Sequence, residues 1–210
     1  MTVAVLGIGG VGGLVAARTG ATCVASERTA NAIEDEGLTL VHDGLTSVAH
    51  PPTVVRLEER VDLLVVAVKA PALGTALERI APDAVDGAVV LPLLNGLEHL
   101  ELLREALPAA TVVAGSIGRV EVFSPEPGFV VQRTPGALVT AGSDRLSRDK
   151  LGDLLSPLVV DGIELALGES ERAVLWEKAA RLAVLAAATV ATGETVGALR
   201  AEPTRTRLVN

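Results

Sequence analysis

The chain has 210 residues, enough for one large or two modest domains, and 49 % of them are hydrophobic, so a core is readily buried. Its formal net charge of −8 argues against nucleic acid as a partner, and its single cysteine, Cys23, excludes an intramolecular disulfide. Phe123, Phe129 and Trp176 are the only aromatic residues, so the core must be built from Val, Leu and Ala, which suits helices packed on a parallel sheet.

Val3–Leu6 reads as an apolar strand that runs directly into Gly7-Ile8-Gly9-Gly10-Val11-Gly12 and a helix over residues 11–19, ended by Gly20. A G-x-G-x-x-G run between a strand and a helix is the context in which the motif indicates a dinucleotide site. Gly7 lets the chain turn off the strand, Gly9 lets backbone approach a pyrophosphate, and Gly12 lets the helix pack on the sheet. The unpaired N–H groups of the helix start then face the phosphates. The bland alternative is an ordinary glycine-rich turn.

Residues 22–25 form the second strand, and Cys23 within it reads as a buried, inert thiol. The strand ends at Ser26-Glu27-Arg28, where a cofactor ribose belongs. Glu27 could accept from a ribose 2′-OH and Arg28 could pair with a 2′-phosphate, so both NAD and NADP stay open here. A short helix over 31–36 closes at Gly37. Residues 38–41 and 45–48, joined by Asp43-Gly44, predict a β-hairpin. The continuous apolar run 63–68 predicts a strand buried on both faces. A helix over 73–80, a strand over 88–91, a helix over 97–106 and a strand over 111–114 continue the alternation. The fold class expected is α/β, a Rossmann-like doubly wound parallel sheet.

Residues 120–139 change character and predict antiparallel strands added at the edge of that sheet. A helix over 144–155 capped by Ser143 or Asp144, a strand at Ile163–Leu167 and a long helix over 171–191 capped by Ser170 follow. The predicted boundary lies near residue 168: a dinucleotide-binding domain over 1–168, then a helical segment over 169–210. The start has no basic region ahead of its apolar run, and the longest apolar stretch, 182–191, is far short of a membrane span of about 20 residues. No membrane association and a cytoplasmic location are therefore expected.

Three polar residues stand where chemistry is plausible. Lys69 and Asn95 each follow the carboxyl end of a strand, where ligands gather in doubly wound sheets. Lys69 can meet an anion, and the Asn95 amide can both donate and accept; equally, Lys69 can be merely solvated and Asn95 can serve the turn before Gly96. Lys178 lies on the long helix with Leu182 and Ala186 at i+4 and i+8. Such surroundings lower a lysine's pKa and suit it to proton donation, although a lysine lying along its helix or paired with Glu171 or Glu177 is the simpler alternative. His42, His50 and His99 share no metal-ligand spacing, so no metal site is expected, and neither a nucleophile elbow nor a P-loop is present.

Taken in order, Gly7-Ile8-Gly9-Gly10-Val11-Gly12, Val68-Lys69-Ala70, Leu91-Pro92-Leu93-Leu94-Asn95-Gly96 and Leu175-Trp176-Glu177-Lys178 resemble the ketopantoate reductase (2-dehydropantoate 2-reductase) family over essentially the whole chain. The resemblance implies an NADP-dependent oxidoreductase in which NADPH delivers hydride to the C2 carbonyl of 2-dehydropantoate, giving pantoate for pantothenate biosynthesis. It implies Lys178 as general acid and Lys69 and Asn95 as cofactor and substrate contacts. Arg28 matches an arginine that favours the 2′-phosphate, which turns the expectation towards NADP.

Three departures from the family pattern stand out. Leu182 and Ala186 replace asparagines on the Lys178 face, and a site without those amides discriminates a hydroxylated substrate less strongly. The family's Asn-Gly-x-Gly continues here as Asn95-Gly96-Leu97-Glu98. Family members also carry a longer helical part, so a partner subunit, a homodimer, is the expected cover for the last helix. These departures motivate two alternatives: an NADP-binding member with lost catalysis, or a reductase of a more apolar 2-oxo acid.

Overall fold

The computed structural model describes residues 1–201. Its elements in chain order are β1 (Val3–Leu6), α1 (Gly10–Thr19), β2 (Thr22–Val24), α2 (Glu27–Glu36), β3 (Leu38–His42), β4 (Leu45–Ala49), β5 (Thr53–Val54), β6 (Leu63–Val66), α3 (Leu73–Leu77), β7 (Val89–Pro92), α4 (His99–Ala106) and β8 (Thr111–Val112). They continue with β9 (Ala114–Gly118), β10 (Val122–Glu126), β11 (Phe129–Gln132), β12 (Ala137–Gly142), α5 (Arg148–Leu155), β13 (Ile163–Leu167), α6 (Glu171–Thr192) and α7 (Val196–Ala201).

Six strands form a parallel sheet in the order β5-β2-β1-β6-β7-β8. The order reverses between β1 and β6, and a crevice opens at such a switch point outside the strands' carboxyl ends. The strand side chains alternate between two cores, as the pleat requires. Val5, Leu63, Val65 and Leu91 pack on one face with Leu14 and Val15 of α1. Leu6, Leu64, Val66 and Val90 pack on the other with Leu73 of α3 and Leu103 of α4. Burial on both faces explains why residues 63–66 are apolar without alternation.

The strands expected at the edge of this sheet belong elsewhere. β10 and β11 pair with each other, and β11 runs parallel to β3 in a separate four-stranded sheet, β10-β11-β3-β4. That sheet roofs α1, and it can do so because α1 is narrow there: a Cβ on Gly13 would stand 2.5 Å from Val130 Cγ2, and one on Gly10 would stand 2.9 Å from the Phe123 backbone. The Asp43-Gly44 hairpin forms as expected, with φ of 49° and 75°, the positive pair a two-residue turn demands. The strand expected over 111–114 divides at Val113. β8 stays in the parallel sheet, while β9 joins β12 and β13 in a third, three-stranded sheet.

The starts of α2 and α5 differ most from expectation. α2 begins at Glu27, because Ser26 Oγ accepts from the Thr29 N–H at 3.4 Å. α5 begins at Arg148 with Ser147 as its cap. Ser143 instead accepts from the N–H groups of Arg145 and Leu146 in the preceding turn, and Asp144 accepts from the N–H of Glu171. Ser170 caps α6 as expected, 3.1 Å from the Ala173 N–H. The first turns of α6 pack on β9 and β12. Beyond residue 180 the helix is mostly exposed, Val190 by 84 %. The tail expected after Thr195 includes α7, and residues 202–210 lie outside the described residues. Among the described residues no helix is long and apolar enough to cross a membrane.

Candidate active site

Three chain segments leave the parallel sheet at the carboxyl side of the switch point: the glycine run after β1, Val68-Lys69 after β6, and residues 93–98 after β7. Two glycines of the first segment are structural necessities. Gly7 has φ +93°, and a Cβ on it would meet Val68 Cγ1 at 2.4 Å. A Cβ on Gly12 would stand 1.9 Å from the Gly7 carbonyl oxygen, so only glycine lets α1 sit this close to the β1 turn. Gly9 is different: it is exposed, and nothing lies within 4 Å of where its Cβ would be.

Gly9 also occupies the N-cap of α1, with no side-chain cap and no acidic residue in the first turn. Serines cap α2, α5 and α6, whereas the first-turn N–H groups of α1 lack an internal partner. An uncapped helix start beside an open glycine is a cradle for an anion. Ile8 and Val11 turn their side chains into or against the core, so they can contribute only backbone.

Arg28 is exposed in the first turn of α2, one turn along from the end of β2, and has no hydrogen-bond or ion-pair partner among the described residues. It lines a groove with Asn31, Asp35 and Phe129. Lys69 is exposed at the entry to a short 3-10 turn. Asn95 is exposed beside Gly96, whose φ of +119° sets the bend into α4. Glu98 is exposed too.

Lys178 is half-buried on α6, and its ammonium is pulled below the ordinary lysine value, first by burial and then by the Arg181 cation. It pairs with neither Glu171 nor Glu177. Glu171 is taken by Arg104 of α4, whose Nη2 lies 2.7 Å from both carboxylate oxygens and 3.1 Å from the Val112 carbonyl. Leu182 and Ala186 are exposed.

Sequence reasoning assigned no role to His99. It opens α4 directly after the Asn95-Gly96 bend, is only 4 % exposed, and has no partner on either ring nitrogen among the described residues. Leaving a buried polar group unpaired costs about 1–3 kcal/mol. Its pKa is lowered from 6.5 by burial and by the neighbouring Lys178 cation. The unfolded chain therefore binds a proton that folded His99 refuses, so stability should fall as the pH drops through about 6.5. Urea midpoints measured across that range should show a shallower fall for His99→Leu than for the wild type; equal slopes would refute a neutral, buried His99.

Cys23 is fully buried and its thiol is pushed up to about 11 by burial, which leaves it without nucleophilic character at neutral pH. Among the described residues no group of three or more His, Cys, Asp or Glu could hold a metal ion.

Residues 3–144 match the family described as ketopantoate reductase PanE/ApbA. The chain is 33 % identical over 153 residues to a 2-dehydropantoate 2-reductase of Halobacterium salinarum, a match covering 70 % of this chain and 48 % of that protein. The chain thus spans about half the length of that relative. In fold it resembles the crystal structure of a probable 2-dehydropantoate 2-reductase of Bacillus subtilis, with a TM-score of 0.81 at 21 % identity over 99 % of this chain and 72 % of the other. A D-mandelate dehydrogenase solved with NADH and anilino(oxo)acetate is similar as well, with a TM-score of 0.79 at 20 % identity over 100 % of this chain and 70 % of the other.

Proposed function

The chain is a member of the ketopantoate reductase (PanE/ApbA) family, and on that premise we propose that it is an NADPH-dependent reductase of a small 2-oxo acid, 2-dehydropantoate, forming pantoate for pantothenate biosynthesis in the cytoplasm. The observation that carries this reading is the open Gly9 at the uncapped start of α1, at the same carboxyl side of the parallel sheet where exposed Lys69 and Asn95 follow β6 and β7. In this reading residues 1–168 hold the dinucleotide, and the segment from 169 brings Lys178 to the reacting carbonyl.

Bound NADPH supplies the hydride. The chain's own groups do the rest. Backbone N–H groups of Gly9, Gly10, Val11 and Gly12 receive the diphosphate, and Ile8 and Gly7 shape the turn that presents them. Asn95 and Lys69 orient the ribose, the nicotinamide end and the substrate carboxylate. Lys178 stabilises the developing alkoxide as a cation and then gives it a proton, for which a lowered pKa brings donor and operating pH closer together.

The test is NADPH oxidation with 2-dehydropantoate. Tight NADPH binding without oxidation above background would leave a binding protein that has lost catalysis. The exposed Leu182 and Ala186 support a further variant of the reading, a more apolar 2-oxo acid, which a panel of such acids decides. Arg28 is proposed as the reader of the 2′-phosphate. Arg28→Ala should weaken NADPH by about tenfold, the scale of one charge-assisted contact, and leave NADH nearly unchanged; equal weakening of both in fluorescence titrations would remove that role. The exposed apolar residues of α6, Leu182, Val184 and Val190, support a homodimer, which light scattering of the purified chain would decide.

A further inference from the structure

The helix that carries Lys178 is held to the rest of the molecule over its first turns. Ser170 caps α6, Asp144 accepts from the Glu171 N–H, and Val174 and Leu175 pack in the core that holds Leu100 and Leu103 of α4. Beyond residue 180 the helix is mostly exposed. Among the described residues one ion pair joins α6 to the parallel-sheet half of the chain. It links Arg104, in the last turn of α4, with Glu171, the first residue of α6, at 2.7 Å, and the same Arg104 Nη2 donates to the Val112 carbonyl at the end of β8. Glu171, Val174, Leu175 and Lys178 recur at three- and four-residue steps, so they share one face of α6. Lys178 stands on that face two turns past the ion pair, roughly 10 Å at the α-helical rise.

The pair is poorly built for stability alone. Both side chains are mostly buried, and Arg104 Nε is enclosed without a partner among the described residues. Two charges taken out of water recover little net free energy, and an unpaired buried N–H is a further cost. What such a pair can supply is one setting of the elements it joins. We propose that Arg104 and Glu171 are positioning residues for Lys178: their bridge fixes the rotation and height of α6 against α4, and thereby holds the ammonium two turns away at the substrate carbonyl. This rests on the reductase reading above. Neither residue touches substrate or cofactor in this role, so the setting of the helix, and not the charge of the pair, is what turnover depends on.

The test compares Arg104→Met/Glu171→Met with Glu171→Gln in the full chain, assayed well below every melting midpoint so that only folded protein is read. The double variant replaces the pair by apolar side chains of similar length, and its Tm should equal or exceed that of the wild type. Its kcat should nevertheless fall by about tenfold to a hundredfold, the scale of a misaimed reacting group, with NADPH affinity unchanged. Glu171→Gln keeps the length of the side chain and one acceptor for Arg104, and should hold kcat within about threefold of the wild type, the scale of a single weakened neutral contact. Wild-type kcat in the double variant, or an equal fall in both variants, would overturn the proposal. The chain has only three lysines, Lys69, Lys150 and Lys178, so the Nζ resonance of Lys178, assigned by its loss in Lys178→Ala, can be followed by 15N NMR without turnover. The double variant should move that signal and leave the other two in place; an unmoved signal refutes the positioning role. If the wild type reduces no 2-oxo acid, the reductase reading falls, and the NMR measurement still decides whether the bridge sets Lys178.

Discussion

Lys178→Ala is expected to remove carbonyl reduction while NADPH binds nearly as well as before. General acid catalysis contributes about 10²–10⁴-fold, and the loss of a group facing a developing oxyanion costs roughly 3–4 kcal/mol in related settings. The two effects reside in one ammonium, so a fall in kcat of at least about 10³-fold is the expected result. Binding should survive, because the proposed diphosphate cradle is formed by α1 and not by α6. Stopped-flow hydride transfer at saturating NADPH, paired with a fluorescence titration of NADPH, separates the two quantities. Loss of both would make Lys178 a structural residue. Lys178→Arg should keep part of the electrostatic stabilisation and lose the proton transfer, since a guanidinium does not give up a proton near neutrality.

The second large effect divides the glycine run into two kinds of glycine. Gly12→Ala puts a methyl group 1.9 Å from the Gly7 carbonyl oxygen, and backbone on both sides prevents relief. The helix must back away from β1, taking Leu14 and Val15 out of register with the core. A loss of about 3–5 kcal/mol is expected, at the upper end for a single substitution, read as a lowered denaturation midpoint. Gly9→Ala meets nothing within 4 Å, and its negative φ of −97°, with ψ of −154° at the rim of the extended region, can be adopted by alanine after a small backbone adjustment. It should fold with an unchanged midpoint and yet weaken NADPH by tenfold or more, because the new methyl stands where the diphosphate must approach the backbone. NADPH binding unaffected by Gly9→Ala would remove the dinucleotide from the mouth of α1 and end the proposed function with it.

The sequence was most readable where the determining contacts are local. The β1–glycine–α1 unit, the Asp43-Gly44 hairpin and the Ser170 cap of α6 each depend on a handful of neighbouring residues, and each forms as expected. The sheet memberships of β10, β11 and β12 were not readable, because they depend on distant partners: Phe129 pairs with Thr39, ninety positions earlier in the chain. The signal that could have indicated this roof was the Gly10 and Gly13 pair, whose small size on α1 has no use unless something packs closely above it. The same distinction holds at the site. Lys69, Asn95 and Lys178 stand out by following strands or interrupting an apolar helix. His99 looks like any helical histidine in the sequence, because its burial is decided by the packing around α4 and not by its neighbours in the chain.

The sparse aromatic content carries a practical corollary. With no tyrosine and a single tryptophan, the indole emission of the chain arises from Trp176 alone, which is 56 % exposed two positions from Lys178. Its emission overlaps the absorption of reduced nicotinamide, so energy transfer from this one indole would register arrival of the dihydropyridine ring, and its loss on oxidation, with no added dye. Under the proposed function the molecule would carry its own optical gauge of occupancy and turnover, placed on the helix that bears the proposed proton donor.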